Sequence, residues 1–208
     1  MYKHRSTIPE TNIEAAGCVL AGGRSRRMGT DKALLELDGR KLISLAIEQF
    51  EGFHEVFISS SDTERYAFLG LPIVPDELPG MGPIGGLISA LKASGSPYVC
   101  FRPVDTPLVP KGIHSMLAGA CLGKDAAAPV FQGSPEPLLS CFSKTALPVL
   151  ESLAACGDFK ISNVFPLLNT ILVPLDAPEC LDLLGDPSAY LANANDPEAF
   201  SSLKSLIR

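Results

Sequence analysis

Four short apolar runs, "GCVLAG", "EVFISS", "LPIVPD" and "YVCFRPVD", each stop at a glycine, a serine pair or an acid, and segments with helical spacing lie between them. That alternation constrains the fold more than any other feature. Strands that are apolar on both faces need cover on both faces, which predicts an α/β domain with a mostly parallel central sheet and helices packed on each side. "ALLELDGRKLI" has apolar arms around Asp38-Gly39, a two-residue turn signal, and predicts a small hairpin. Leu42, Leu45, Ala46 and Phe50 then recur at helical spacing until Gly52.

Further along, Asp62 is placed to cap a helix running to Phe68, and "PIGGLISALKAS" reads as a helix with Pro83 in its first turn. The strand "YVCFRPVD" should end at Asp105, followed by a helix from about Ile113 to Leu122. Strands are expected in "DAAAPVF" and "PLLSCF", a helix in "TALPVLESLAAC", and a terminal helix in "DPEAFSSLKSLIR" behind "ANAN". Residues 1–14 read as a flexible tail and residues 15–208 as one domain.

Of 208 residues, 46% are apolar and 19% charged, enough for a sizeable core. A net charge of -6 argues against a general nucleic-acid or membrane-surface binder, so any anion must be met by a local cluster of cations. No uncharged apolar run approaches about 18 residues, and no apolar segment follows the charged first residues as a signal peptide requires. The six cysteines are scattered without a CxxC pair, so they read as buried thiols of a soluble cytoplasmic protein rather than a disulfide frame or a zinc site. His4, His54 and His114 share no spacing that suggests a triad or a metal site, and are expected at surface or hydrogen-bonded positions.

In an open α/β sheet, ligands bind beyond the carboxyl ends of the strands, near the point where strand order reverses. That rule gathers Gly22, Ser59, Asp76 and Asp105 into one crevice, although they are far apart in sequence. In "GCVLAGGRSRRMGTDK", Gly22 and Gly23 can adopt positive φ and bare their N–H groups. The cations Arg24, Arg26, Arg27 and Lys32 nearby make phosphate the natural guest. The stretch matches neither the Walker A pattern nor G-x-G-x-x-G. Asp105, directly before Thr106-Pro107, suits a hard oxygen ligand for Mg²⁺, with a loop-capping aspartate as the alternative; Asp76 could equally be turn chemistry.

"LAGGRSRRMGTDKALLELDGRKLI", "PDELPGMGPIGGL", "RPVDTPLVP" and "ANANDPEAF", in that order, resemble the molybdenum cofactor guanylyltransferases, the MobA-like branch of the nucleotidyltransferases. The resemblance implies a three-layer α/β/α, Rossmann-like fold. It also implies transfer of GMP from GTP to the terminal phosphate of molybdenum-molybdopterin, with Mg²⁺ and release of pyrophosphate. Carried over position by position, Leu20, Ala21, Gly22 and Gly23 would line the nucleotide, Lys32 would neutralise its phosphates, Asp76 would help read guanine and Asp105 would hold the metal. Arg24 and Arg27 would be further phosphate contacts, while Arg26 takes no role. Asn193 and Asn195 correspond to an asparagine pair near the pterin.

Relatives that use CTP read L-A-A-G, and the extra methyl where this chain has Gly22 would crowd a purine. Ser59 stands where the family often has an asparagine in the base pocket. Glu136 replaces a common histidine, and Phe159-Lys160 offers one cation, Lys160, where paired arginines are usual on the acceptor side. The molybdenum-insertion protein and molybdoenzyme chaperones are the partners such an enzyme implies. The rival readings are a cytidylyltransferase, a guanylyltransferase for another phosphorylated acceptor, and a non-catalytic GTP-binding module.

Overall fold

A computed structural model describes residues 15–22, 31–78, 80–194 and 196–206. The predicted N-terminal tail, residues 1–14, lies outside the described residues, as do Gly23, Arg24, Arg26, Arg27 and Asn195. The chain enters through β1 (Ala15–Leu20), then forms a hairpin of β2 (Glu36–Leu37) and β3 (Arg40–Lys41). Asp38 and Gly39 both have positive φ, 51° and 72°, the backbone that a primed two-residue turn requires. Helix α1 (Leu42–Glu48) follows, then β4 (Glu55–Ser59), β5 (Ile73–Val74), α2 (Pro83–Ala93) and β6 (Tyr98–Pro103). The second half runs α3 (Ile113–Ala120), β7 (Ala126–Phe131), β8 (Ser134–Pro135), β9 (Cys141–Ser143) and α4 (Leu147–Ala155). It closes with β10 (Thr170–Pro174), α5 (Pro178–Leu184), α6 (Pro187–Tyr190) and α7 (Pro197–Leu206).

The central sheet has the order β10-β7-β9-β6-β1-β4-β5, with β8 paired to β7. β1 pairs in parallel with both β4 and β6, and β10 with β7, whereas β9 runs antiparallel between β6 and β7. The sheet is therefore mostly parallel, as predicted. Strand order reverses at β1: the chain moves outward through β4 and β5, then returns to place β6 on the other side of β1.

Two cores cover the two faces. One joins Ala15, Val19, Ile43, Phe50, Ile113 and Leu117, so α1 and α3 lie on that side; the other joins Cys18, Ile84, Leu87, Phe101 and Leu150, so α2 and α4 lie opposite. A smaller cluster of Leu37, Leu42, Ala194, Phe200 and Leu203 seats α7 on the hairpin. No helix among the described residues is long and apolar enough to cross a membrane. Five cysteines are buried as free thiols, but Cys156, at the end of α4, is exposed.

Several elements differ from expectation. Asp62 does accept a hydrogen bond from the Arg65 amide (3.1 Å), but the chain beyond it makes turns and a short 3-10 segment, Ala67–Leu69, instead of an α-helix. In "PLLSCF" only Cys141–Ser143 is strand; Pro137, which lacks an N–H, opens a 3-10 turn over Pro137–Leu139. The strand before Asp105 stops at Pro103. His114 is neither at the surface nor on a polar face: it is fully buried, 4.6 Å from the Phe50 ring, and burial beside Arg102 keeps it neutral.

Gly17 is set by space. A Cβ built there would lie 2.2 Å from the Phe50 ring, which is itself buried against the sheet. Gly17→Ala is expected to cost about 2–3 kcal/mol, the upper part of the overpacking range, and to lower the urea midpoint accordingly. An unchanged midpoint would mean that Phe50 repacks freely.

Candidate functional site

The carboxyl ends of β1, β4, β5 and β6 open together into a cavity of about 660 Å³, within the roughly 300–1,000 Å³ typical of small-molecule sites. Parallel pairing continues past the strand ends, through Ala21 N–H to Ser59 O (2.9 Å) and Ser60 N–H to Val74 O (3.0 Å), and so holds the rim in register. Leu20, Ala21, Gly22, Lys32, Ser59, Asp76 and Asp105 all line the cavity, so the sequence-predicted residues that are described on the nucleotide side come together. Asn193 and Lys160 are exposed and do not line it. Asn193 nonetheless stays close to Asp105, because the neighbouring Ala194 N–H donates to Asp105 O at 2.7 Å.

The glycine-dense loop before α2 uses its glycines in two ways. Gly80 and Gly82 have φ of 92° and 64°, with nothing near the position of a Cβ, so backbone conformation selects them. Gly85 and Gly86 are selected by contact: a Cβ would lie 2.8 Å from the Asp76 carboxylate at the first and 3.2 Å from Ser59 Oγ at the second. The Ser89 hydroxyl accepts from Glu77 N–H and donates to Gly85 O, both at 3.0 Å, which fastens the Asp76 loop to the helix. Asp76 also accepts from Leu78 N–H at 2.9 Å. The first turn of α2, with Pro83 and Gly86, thus faces the cavity with its positive dipole end. Gly22 departs from expectation: its φ is not positive, and among the described residues the nearest atom to a built Cβ is 3.9 Å away.

Lys32 rides on a 3-10 turn, Lys32–Leu34, capped by Asp31 through a 3.0 Å hydrogen bond from Ala33 N–H. Its ammonium charge favours the ionised form of Asp105. Beneath Asp105 lies Arg102, fully buried, donating through Nη2 to Thr106 O at 2.9 Å. Burial lowers Arg102 to about 9, which leaves it charged at neutral pH. Burial raises the Asp105 carboxyl above the usual aspartate range despite Lys32 and Arg102, and burial together with Asp105 raises Glu136 as well. Glu136 thus lies close enough to Asp105 to feel its charge, although it does not line the cavity.

Sequence reasoning singled out Glu136 on the acceptor side but did not find Asp31 or Arg102 as part of this electrostatic group. Asp31 carried a signal, a capping residue directly before an apolar run. Arg102, inside an otherwise apolar strand, carried a weaker one.

Residues 17–166 match the MobA-like NTP transferase domain family. The chain belongs to that family. Among relatives of this MobA-like chain, the "Probable molybdenum cofactor guanylyltransferase" of Carboxydothermus hydrogenoformans is 31% identical over 89% of the chain and 92% of its own length. The molybdenum cofactor guanylyltransferase of Cereibacter sphaeroides is 32% identical over 92% of the chain and 96% of its own. The molybdopterin-guanine dinucleotide biosynthesis protein A of Archaeoglobus fulgidus superimposes with a TM-score of 0.77 at 26% identity, covering 92% of this chain and 98% of that one. The MobA-like fold is thus the Rossmann-like nucleotidyltransferase fold.

The raised Asp105 carboxyl has a consequence for stability. Its folded-state value lies above the unfolded one, so the ionised form costs stability at neutral pH, and the cost vanishes once pH falls below the ordinary aspartate range. Asp105→Asn should therefore melt at higher temperature than the wild type at pH 7, with the gain fading below about pH 4. A variant less stable at pH 7 would mean that the attractions of Lys32 and Arg102 outweigh burial.

Proposed function

We propose that this chain transfers GMP from GTP to the terminal phosphate of molybdenum-molybdopterin, forming molybdopterin guanine dinucleotide and releasing pyrophosphate. The observation that carries this reading is the convergence of Leu20, Ala21, Gly22, Lys32, Asp76 and Asp105 on one cavity, in a chain similar along most of its length to proteins named for that reaction. Gly22 supports GTP over CTP. Its φ is not positive and, among the described residues, no atom comes nearer than 3.9 Å to a Cβ built there, which leaves room for a ligand beside the cavity.

The described groups around the cavity fit a divalent cation. Of the described residues that line it, Asp31, Asp76 and Asp105 are acidic and Lys32 is basic, and Asp31 is already engaged by Tyr66 and Arg65. No group of three or more histidine, cysteine or acidic side chains among the described residues forms a closed metal cage. That suits Mg²⁺, which is held by one or two carboxylates and otherwise by water and substrate phosphates. Asp105 would hold it, and when bound it would offset charge on the nucleotide phosphates.

The chain's own work is then positioning and neutralisation. The rim of β1 and Ser59 orient the base and ribose, and Asp76, fixed on α2, reads the guanine edge. Lys32, with Arg24 or Arg27 from the basic stretch, stabilises the departing pyrophosphate. The acceptor phosphate is already ionised near neutral pH, so its in-line attack needs neither a side-chain nucleophile nor a general base.

The test is pyrophosphate release from GTP and from CTP, each with and without the molybdenum-loaded pterin. Release should require GTP, Mg²⁺ and the pterin together. Binding of GTP without release would instead support a non-catalytic module. Lys32→Ala should lower turnover by on the order of 10²-fold, the loss typical of a transition-state charge contact. Gly22→Ala should keep the wild-type urea midpoint while shifting preference from GTP toward CTP. A variant with unchanged preference would remove Gly22 from base selection.

A further inference from the structure

We propose that Tyr66 is a positioning residue for Lys32, clamping through its hydroxyl the Asp31 carboxylate that caps the turn carrying the lysine. The inference rests on the reading that Lys32 meets the nucleotide phosphates, and it adds a residue that neither the motif nor the cavity lining contains.

Tyr66 lies in the connection between β4 and β5 and is only 1% exposed. Its hydroxyl donates to Asp31 Oδ2 at 2.8 Å, with Ala21 O 3.3 Å away. Asp31 uses its other oxygen, Oδ1, to accept from Ala33 N–H at 3.0 Å. One phenol thus joins three segments: the end of β1, the turn that bears Lys32, and the β4–β5 connection. Burial and the adjacent carboxylate push the phenol far above its ordinary range, so it stays protonated and remains a donor.

Arg65 also touches Asp31, with Nη1 at 3.2 Å from Oδ2, but its side chain is 49% exposed and is shared with Asp62 at 3.0 Å. Exposed ion pairs of this kind hold little geometry. A buried hydroxyl on a carboxylate is a charge-assisted bond with a fixed direction, and its partner is the cap itself. Loss of the phenol oxygen frees the cap to rotate while the ring still fills its place in the core. The effect should therefore pass to Lys32 and leave the fold in place.

The decisive experiment is a double-mutant cycle of Tyr66→Phe with Lys32→Ala, read as kcat and KM for pyrophosphate release from GTP. Tyr66→Phe alone should lower kcat about five- to tenfold, in the range shown by coupled neighbours, with a smaller change in KM and a wild-type urea midpoint. In the Lys32→Ala background the same change should have no further effect. Equal losses in both backgrounds would overturn the proposal, since Tyr66 would then act independently of the lysine.

Asp31→Asn keeps an acceptor for Ala33 N–H and serves as a second variant should Tyr66→Phe unfold. Its loss should likewise disappear without Lys32, and equal losses would overturn the proposal. The cycle is repeated on the dissociation constant of inorganic pyrophosphate with Mg²⁺, which needs no turnover. If the wild type releases no pyrophosphate from GTP but the binding cycle shows coupling, the transferase reading fails and the positioning role stands. Turnover without coupling has the opposite meaning: the transferase reading stands and the positioning role fails. A Lys32→Ala variant unchanged in both readouts also overturns the positioning role.

Discussion

Everything at the site depends on β1 being held in parallel register between β4 and β6. That strand carries Ala15, Ala16, Gly17 and Cys18, small residues that let helices approach from both faces, and Phe50 of one layer lies directly over Gly17. Because the chain turns outward to β4 on one side and comes back to β6 on the other, strand order reverses at β1 and the carboxyl ends of β1, β4, β5 and β6 are left around one crevice. The cavity is a product of strand order. Side chains then decide what it accepts.

The turn after β6 shows how the site is stiffened at a cost. Arg102 grips Thr106 O from inside the fold, and Ala194 N–H grips Asp105 O from the C-terminal segment. Ala194 is in turn buried in the small cluster with Phe200 and Leu203, so α7 supports the turn although it lies far from the cavity in sequence. A buried guanidinium and a largely buried carboxylate oppose desolvation, and both show it in shifted protonation equilibria. Two charges placed where burial disfavours them are an expensive way to build a loop. They make sense where an ionised carboxylate must be presented in one orientation.

Features decided within a few residues were legible in the sequence. The Asp38-Gly39 hairpin, the start of α2 at Pro83 and the end of α1 before Gly52 each follow from backbone preferences. The shared crevice of Gly22, Ser59, Asp76 and Asp105 was legible too, because it follows from strand ends. What was not legible depends on distant pairing. Apolar alternation does not encode strand direction, so the antiparallel β9 inside the sheet could not be read. β10 is an edge strand with Ile171 and Leu172 exposed, which breaks the buried pattern of a central strand. The hydrogen bond from Tyr66 to Asp31 spans 35 positions and has no local signature.

The charge balance of the crevice links the nucleotide, the metal and the acceptor. The opening motif is read from its cations, yet among the described residues that line the cavity Lys32 is set against Asp31, Asp76 and Asp105. On the proposed reading, a cation held by Asp105 would offset these acids, and the phosphates would lie toward Lys32 and the first turn of α2. The same balance bears on the acceptor. Glu136, raised by burial and by Asp105, is easier to keep near a phosphate when it is protonated or when a cation offsets the charge beside it. On the proposed reading, an acid on the acceptor side is easiest to reconcile with an anionic substrate once a bound cation has offset the charge of Asp105.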